Sequence, residues 1–132
     1  MLYAILAYHD EAAVQGWSEP EDDALMDGLI RVHEGLVEAG RLGPAARLGA
    51  TTLAATVRGG VITDGPFAET KEHLLGFYVT DASDMAGAVQ TALELQAANP
   101  GAVYEVRPIV LYIPGAGFPL TDQGLALVRP GA

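Results

Sequence analysis

The chain has 132 residues, half of them hydrophobic, and a formal net charge of −10. That length suits one domain with enough apolar matter for a core. The charge argues against binding a phosphate backbone, because only seven Lys and Arg are present and they are scattered. Without any cysteine, disulfides, thiol nucleophiles and cysteine-ligated zinc are all excluded.

Met1 to Tyr8 has no basic n-region and no cleavage-site pattern, so it reads as a strand and not a signal peptide. Residues 2–8 are apolar on both strand faces, the pattern of a strand covered on both sides. No apolar run approaches the roughly 20 residues that a membrane helix needs. A cytoplasmic protein with no membrane contact is expected. Residues 9–20 hold Gly16, Ser18 and Pro20 and read as a loop. Its Trp17, the only tryptophan, either folds back on the core or stacks a ligand.

Glu21 to Ala39 is predicted to be a helix. Leu25, Leu29, Val32 and Leu36 form one apolar stripe, widened by Gly28 and Val37. Glu21, Asp22 and Asp23 crowd its first turn, where the helix dipole favours acids. Nine of the seventeen acids lie between Asp10 and Glu38, which reads as a solvated face or as an acidic docking surface. Residues 41–49 read as a connection with a short extended piece.

Thr51 to Val57 reads as a strand, and Gly59-Gly60 as a two-residue hairpin turn leading into Val61-Ile62-Thr63. The turn Asp64-Gly65-Pro66-Phe67 follows, and Pro66 ends the ladder because it cannot donate. Leu74 to Thr80 is the next strand. A second helix over about 83–98, capped by Asp81 or Ser83, is expected to face inward with Met85, Val89, Ala92, Leu93 and Gln96. Val103 to Ile113 is the last long strand, and 124–128 a possible short one.

Two helices on one face of an antiparallel sheet bury both stripes most simply. The fold class is therefore α+β, a ferredoxin-like sandwich. The first strand's double-sided apolarity calls for a cover on the other sheet face, most economically a second copy in a homodimer.

The run Val61-Ile62-Thr63-Asp64-Gly65-Pro66-Phe67-Ala68-Glu69-Thr70-Lys71-Glu72, then Leu75-Gly76-Phe77-Tyr78 and Glu105-Val106-Arg107-Pro108, resembles the DGPF group of YCII-related proteins. The resemblance covers about 1–113, leaving 114–132 as a Gly/Pro-rich tail. It implies a dimeric α+β barrel in which two ferredoxin-like sheets enclose a cleft. It implies no single activity. Some YCII-like relatives resemble small lyases or isomerases that use a His–Asp pair. In that comparison Asp64 carries over as the acidic member. The relatives' histidine belongs near Leu29 or Ile30, whereas His33 lies about one turn later. DGPF-group members also often occur beside extracytoplasmic-function sigma factors, which implies a sigma-factor-type protein partner as an alternative role.

The residues themselves leave several roles open. Asp64 either accepts from the Phe67 or Ala68 N–H in an Asx turn or acts as a base or ligand-orienting carboxylate. Phe67 anchors the turn or stacks a substrate. Glu105 and Arg107, two apart on a strand, share a face opposite Tyr104 and Val106. They form a structural ion pair or hold a ligand together with Tyr78. His9, at the end of the first strand, is the best histidine for acid–base work. His9, His33 and His73 have no metal-ligand spacing, and no phosphate loop, nucleophile elbow or dinucleotide fingerprint occurs, so neither metal nor cofactor is expected. The expectation is a small-molecule binder, with enzymatic activity left open.

Overall fold

In the computed structural model, which describes residues 1–115, the apolar N-terminal segment forms β1 (Leu2–Asp10) inside a four-stranded sheet. The predicted strand over 124–128 lies outside the described residues. β5 (Glu72–Asp81) flanks β1 on one side and β6 (Val103–Pro108) on the other, and β2 (Leu42–Arg47) forms the edge beyond β5. All neighbouring strands are antiparallel. Two long helices, α2 (Glu19–Glu38) between β1 and β2 and α3 (Met85–Ala98) between β5 and β6, complete the split βαβ pattern of the expected ferredoxin-like α+β fold.

Register assigns the faces. Ile5 lies opposite both Tyr78 and Val106, and these three pack with Leu29, Leu36, Ala92 and Leu95 under the helices. The alternate positions Leu2, Ala4, Leu6, Phe77 and Val79, with Glu105 and Arg107, belong to the opposite face, because successive strand residues alternate.

Residues 9–20 are more ordered than a loop. Asp10 accepts from the Ala12 and Ala13 N–H groups at 3.0 and 3.4 Å and caps the short α1 (Glu11–Gln15). Ser18 then caps α2 through a reciprocal pair. The Glu21 N–H donates to Ser18 Oγ at 3.2 Å, and the Ser18 hydroxyl donates to Glu21 Oε1 at 3.0 Å. Pro20 sits in the helix's first turn, where its missing N–H costs nothing. The predicted α2 stripe points inward, with Leu29 and Leu36 buried.

α3 departs from expectation in two ways. Its cap is Asp84, which accepts from the Gly87 N–H at 2.9 Å, and not Asp81 or Ser83. Its buried face is Ala88, Thr91, Ala92 and Leu95, while Met85, Val89 and Leu93 are exposed. Small side chains let the helix approach its neighbours closely. Thr91 is satisfied in place: its hydroxyl donates to the Gly87 carbonyl at 3.3 Å and accepts from Arg41 Nη2 at 2.5 Å.

The segment read as one strand from Thr51 begins as a 3-10 turn (Thr51–Leu53) before β3 (Ala55–Arg58). β3 and β4 (Val61–Asp64) form the expected hairpin, with φ of 55° and 81° at Gly59 and Gly60. The hairpin is a separate two-stranded sheet with Val57, Val61 and Ile62 exposed. The last strand stops at Pro108, five residues earlier than predicted, and the Ile109 N–H makes a final bond to the Leu2 carbonyl at 2.9 Å. Among the described residues no helix is long and apolar enough to cross a membrane.

Candidate functional site

Small residues open a space beneath α2. β5 carries one extra residue relative to β1 where pairing shifts between Ala7/Gly76 and Tyr8/Leu74. Ala7 and Gly76 contribute little side chain beside this bulge. At Gly76 a Cβ would lie 2.8 Å from the Ala46 carbonyl oxygen, so the close approach of β2 to β5 requires glycine. The result is a cavity of about 190 Å³ whose walls include Leu29 and His33 from α2, Tyr78 and Tyr104 from the sheet, and His9 and Trp17.

His33 and Tyr78 form its polar centre. His33 Nε2 lies 3.2 Å from the Tyr78 hydroxyl, with the rings 5.2 Å apart in an edge-on arrangement. Burial pushes the His33 pKa below the ordinary histidine value. Burial, then the nearby Tyr104 charge, pushes Tyr78 well above the ordinary tyrosine value. Tyr104 is raised by burial too, against an opposing hydrogen bond from Asn99. The pair is therefore neutral near pH 7.

The His33 shift has a consequence for stability. The folded state binds this proton less readily than the unfolded chain, so protonation favours unfolding. The contribution is complete above the unfolded value of 6.5 and is lost as pH falls through the depressed folded value. Urea unfolding at about pH 7.5 and about pH 5 is expected to show lower stability at the acidic end. His33→Gln should flatten that difference; an unchanged difference would assign it to other groups.

His9 is 8% exposed and meets Trp17 edge to face at 5.3 Å. Trp17 thus folds back on the core side of the molecule. His9 Nδ1 lies 3.2 Å from the Asp10 carbonyl oxygen, which only accepts, so Nδ1 carries the proton in the neutral ring. Nε2 is then an acceptor, and it has no partner among the described residues. It packs against Gly101, where a Cβ would lie 2.8 Å away.

The other predicted site residues stand outside this cavity. Asp64 ends β4 exposed, and among the described residues its carboxylate makes no hydrogen bond, so the Asx turn does not form. The turn is held otherwise: the Gly65 N–H donates to the Ala54 carbonyl at 2.7 Å, and the Thr56 hydroxyl donates to the Gly65 carbonyl at 2.9 Å. Phe67 does not anchor the turn in the core. It is 73% exposed, with Arg58 lying 4.8 Å over its ring, and it lines a second, more open depression with Thr51 and His73. Glu105 and Arg107 are exposed at 3.9 Å from each other, opposite Tyr104 and Val106 as the alternation implied. Of the predicted residues, His9 and Tyr78 share the cavity.

Two further features tie the neighbourhood together. Glu11 of α1 accepts from both the Thr51 N–H, at 2.8 Å, and the Thr51 hydroxyl, and these bonds hold its pKa below the ordinary carboxylate value. Arg47, which lines the cavity, reaches Asp22 of α2 at 2.9 Å. Among the described residues no three His, Asp or Glu side chains gather as a metal site.

His33 is the residue the sequence reading undervalued. A usable signal existed: it sits four residues after Leu29 and three before Leu36, on the buried stripe of its helix.

The sequence matches the YCII-related domain over residues 1–112. It is 51% identical over 120 residues to an uncharacterised protein of Rhizobium meliloti (strain 1021), covering 87% of this chain and 97% of that one.

Proposed function

This chain belongs to the YCII-related domain family, and on that premise we propose that it binds a small molecule in the cavity between α2 and the sheet. The observation that carries this reading is the His33–Tyr78 pair at 3.2 Å within a mostly apolar, partly enclosed space. A few polar groups converging in an apolar pocket is the usual composition of a ligand site. A neutral imidazole beside a phenol can both orient a ligand and pass a proton, so a lyase- or isomerase-type reaction is chemically open to the pair. In this reading His33, which lines the cavity, takes the role that the resemblance gave to Asp64, which lies outside it.

In this proposal two copies pair through the sheet faces turned away from the helices. Leu2, Ala4, Leu6, Phe77 and Val79 support that pairing as an apolar patch, and Glu105 with Arg107 offers self-complementary charge beside it.

Thermal melting against a chemically mixed set of small molecules tests the ligand site. A bound compound is expected to raise the wild-type midpoint, since saturation at 100 times Kd adds about 2.7 kcal/mol. Ala45, exposed on the edge strand, also lines the cavity, and Ala45→Phe is expected to fill it and cancel the rise. Rises that persist in Ala45→Phe would place binding elsewhere.

A further inference from the structure

We infer that the ligand of this cavity is an uncharged, single-ring molecule bearing a hydroxyl group, of the phenol class; the inference rests on the cavity being the binding site. Size sets the first limit. An apolar protein cavity of roughly 150 Å³ takes one benzene ring. The space of about 190 Å³ therefore suits one ring with a small substituent. The walls suit the flat face of such a ring, because Tyr78, Tyr104, His33 and Trp17 surround it.

Charge sets the second limit. Arg47 is the one arginine, lysine or carboxylate residue lining the cavity among the described residues, and its guanidinium is already paired with Asp22 at 2.9 Å. A carboxylate or ammonium entering the space would be desolvated without a dedicated countercharge, which costs several kcal/mol. Arg47 is shared with Asp22, and His9 Nε2, unpartnered among the described residues, offers an acceptor but no carboxylate.

The hydroxyl follows from the shared hydrogen between His33 Nε2 and Tyr78 Oη. If Tyr78 donates to His33, its oxygen keeps lone pairs that accept from a ligand O–H. If His33 donates to Tyr78, the tyrosine O–H is free to donate to a ligand oxygen. A hydroxyl group both donates and accepts, so it satisfies either arrangement. A carbonyl or an ammonium satisfies only one.

The test uses the full chain and the emission of Trp17, the only tryptophan and part of the cavity wall. Phenol, benzoate and benzylamine are titrated separately near neutral pH. Phenol is expected to change the emission saturably, with the two charged compounds binding at least about tenfold more weakly. Tyr78→Phe, which keeps the ring, is expected to weaken phenol about three- to tenfold while circular dichroism shows the fold retained. Ala45→Phe is expected to abolish the response.

Benzoate or benzylamine binding as tightly as phenol, and lost in Ala45→Phe, would overturn the ligand class and leave the cavity as the site. Phenol binding unchanged in Tyr78→Phe would overturn the role of the hydroxyl. No saturable response to any of the three, or a phenol response that survives Ala45→Phe, would overturn this inference together with the site it rests on.

Discussion

Leu95→Ala is expected to destabilise the fold by about 2–5 kcal/mol, and Leu93→Ala, two residues away on the same helix, by under about 1 kcal/mol. Leu95 is fully buried in the core cluster with Ile5, Leu29, Leu36, Tyr78 and Ala92. Truncation there removes the transfer energy of the side chain and leaves a cavity in a close-packed layer. Leu93 is 53% exposed, so most of its surface already meets water. Domains of this size have about 5–15 kcal/mol in total, so the Leu95 variant should sit near the limit of folding. Urea denaturation with a common m-value measures both. Equal losses would mean that the helix is rotated and that the hydrophobic pattern of its sequence, which favoured Leu93, was the better guide.

On the proposed pairing, Leu6→Glu is expected to convert the dimer into a monomer with little change in secondary structure. Leu6 lies on the sheet face opposite the helices, directly across from Phe77 on one side and Glu105 on the other. A two-fold pair through this face brings both copies of any substitution into the interface. Two new carboxylates would then be buried beside Glu105 without added positive charge, at a cost of several kcal/mol. In the isolated chain the same glutamate would face water, so the fold itself should survive. Light scattering should give twice the chain mass for the wild type and once for the variant, with matching circular dichroism. A wild type at one chain mass would dismiss the pairing. A variant that stays dimeric would move the interface to another surface, of which the exposed Val57, Val61 and Ile62 of the hairpin are the obvious alternative.

The places where sequence and structure part company share a cause. Residues 9–20 looked irregular because two short capping events, at Asp10 and Ser18, are less visible than a long periodic stripe. Of the expected α3 stripe Ala92 is buried, but Met85, Val89 and Leu93 are not, because the inward face is completed by Ala88 and Thr91, whose value lies in small size and not in hydrophobicity. The Asp64-Gly65-Pro66-Phe67 turn stood out as a motif. Its geometry is carried by Gly65, at a φ of 97°, and by Thr56, and it leaves Asp64 and Phe67 facing outward.

By itself the sequence determined what depends on neighbours along the chain. The α2 stripe and the opposed faces of Tyr104/Val106 and Glu105/Arg107 follow from local periods of 3.6 or 2 residues, and the Gly59-Gly60 hairpin from the ease with which glycine takes positive φ. Only the tertiary structure decided which distant residues meet. His33 and Tyr78 are 45 positions apart, and they touch because α2 crosses the sheet where a one-residue bulge beside Ala7 and Gly76 leaves room. A shift of one residue in that pairing would turn Tyr78 to the other face, so the site exists only in the register that the packed core selects.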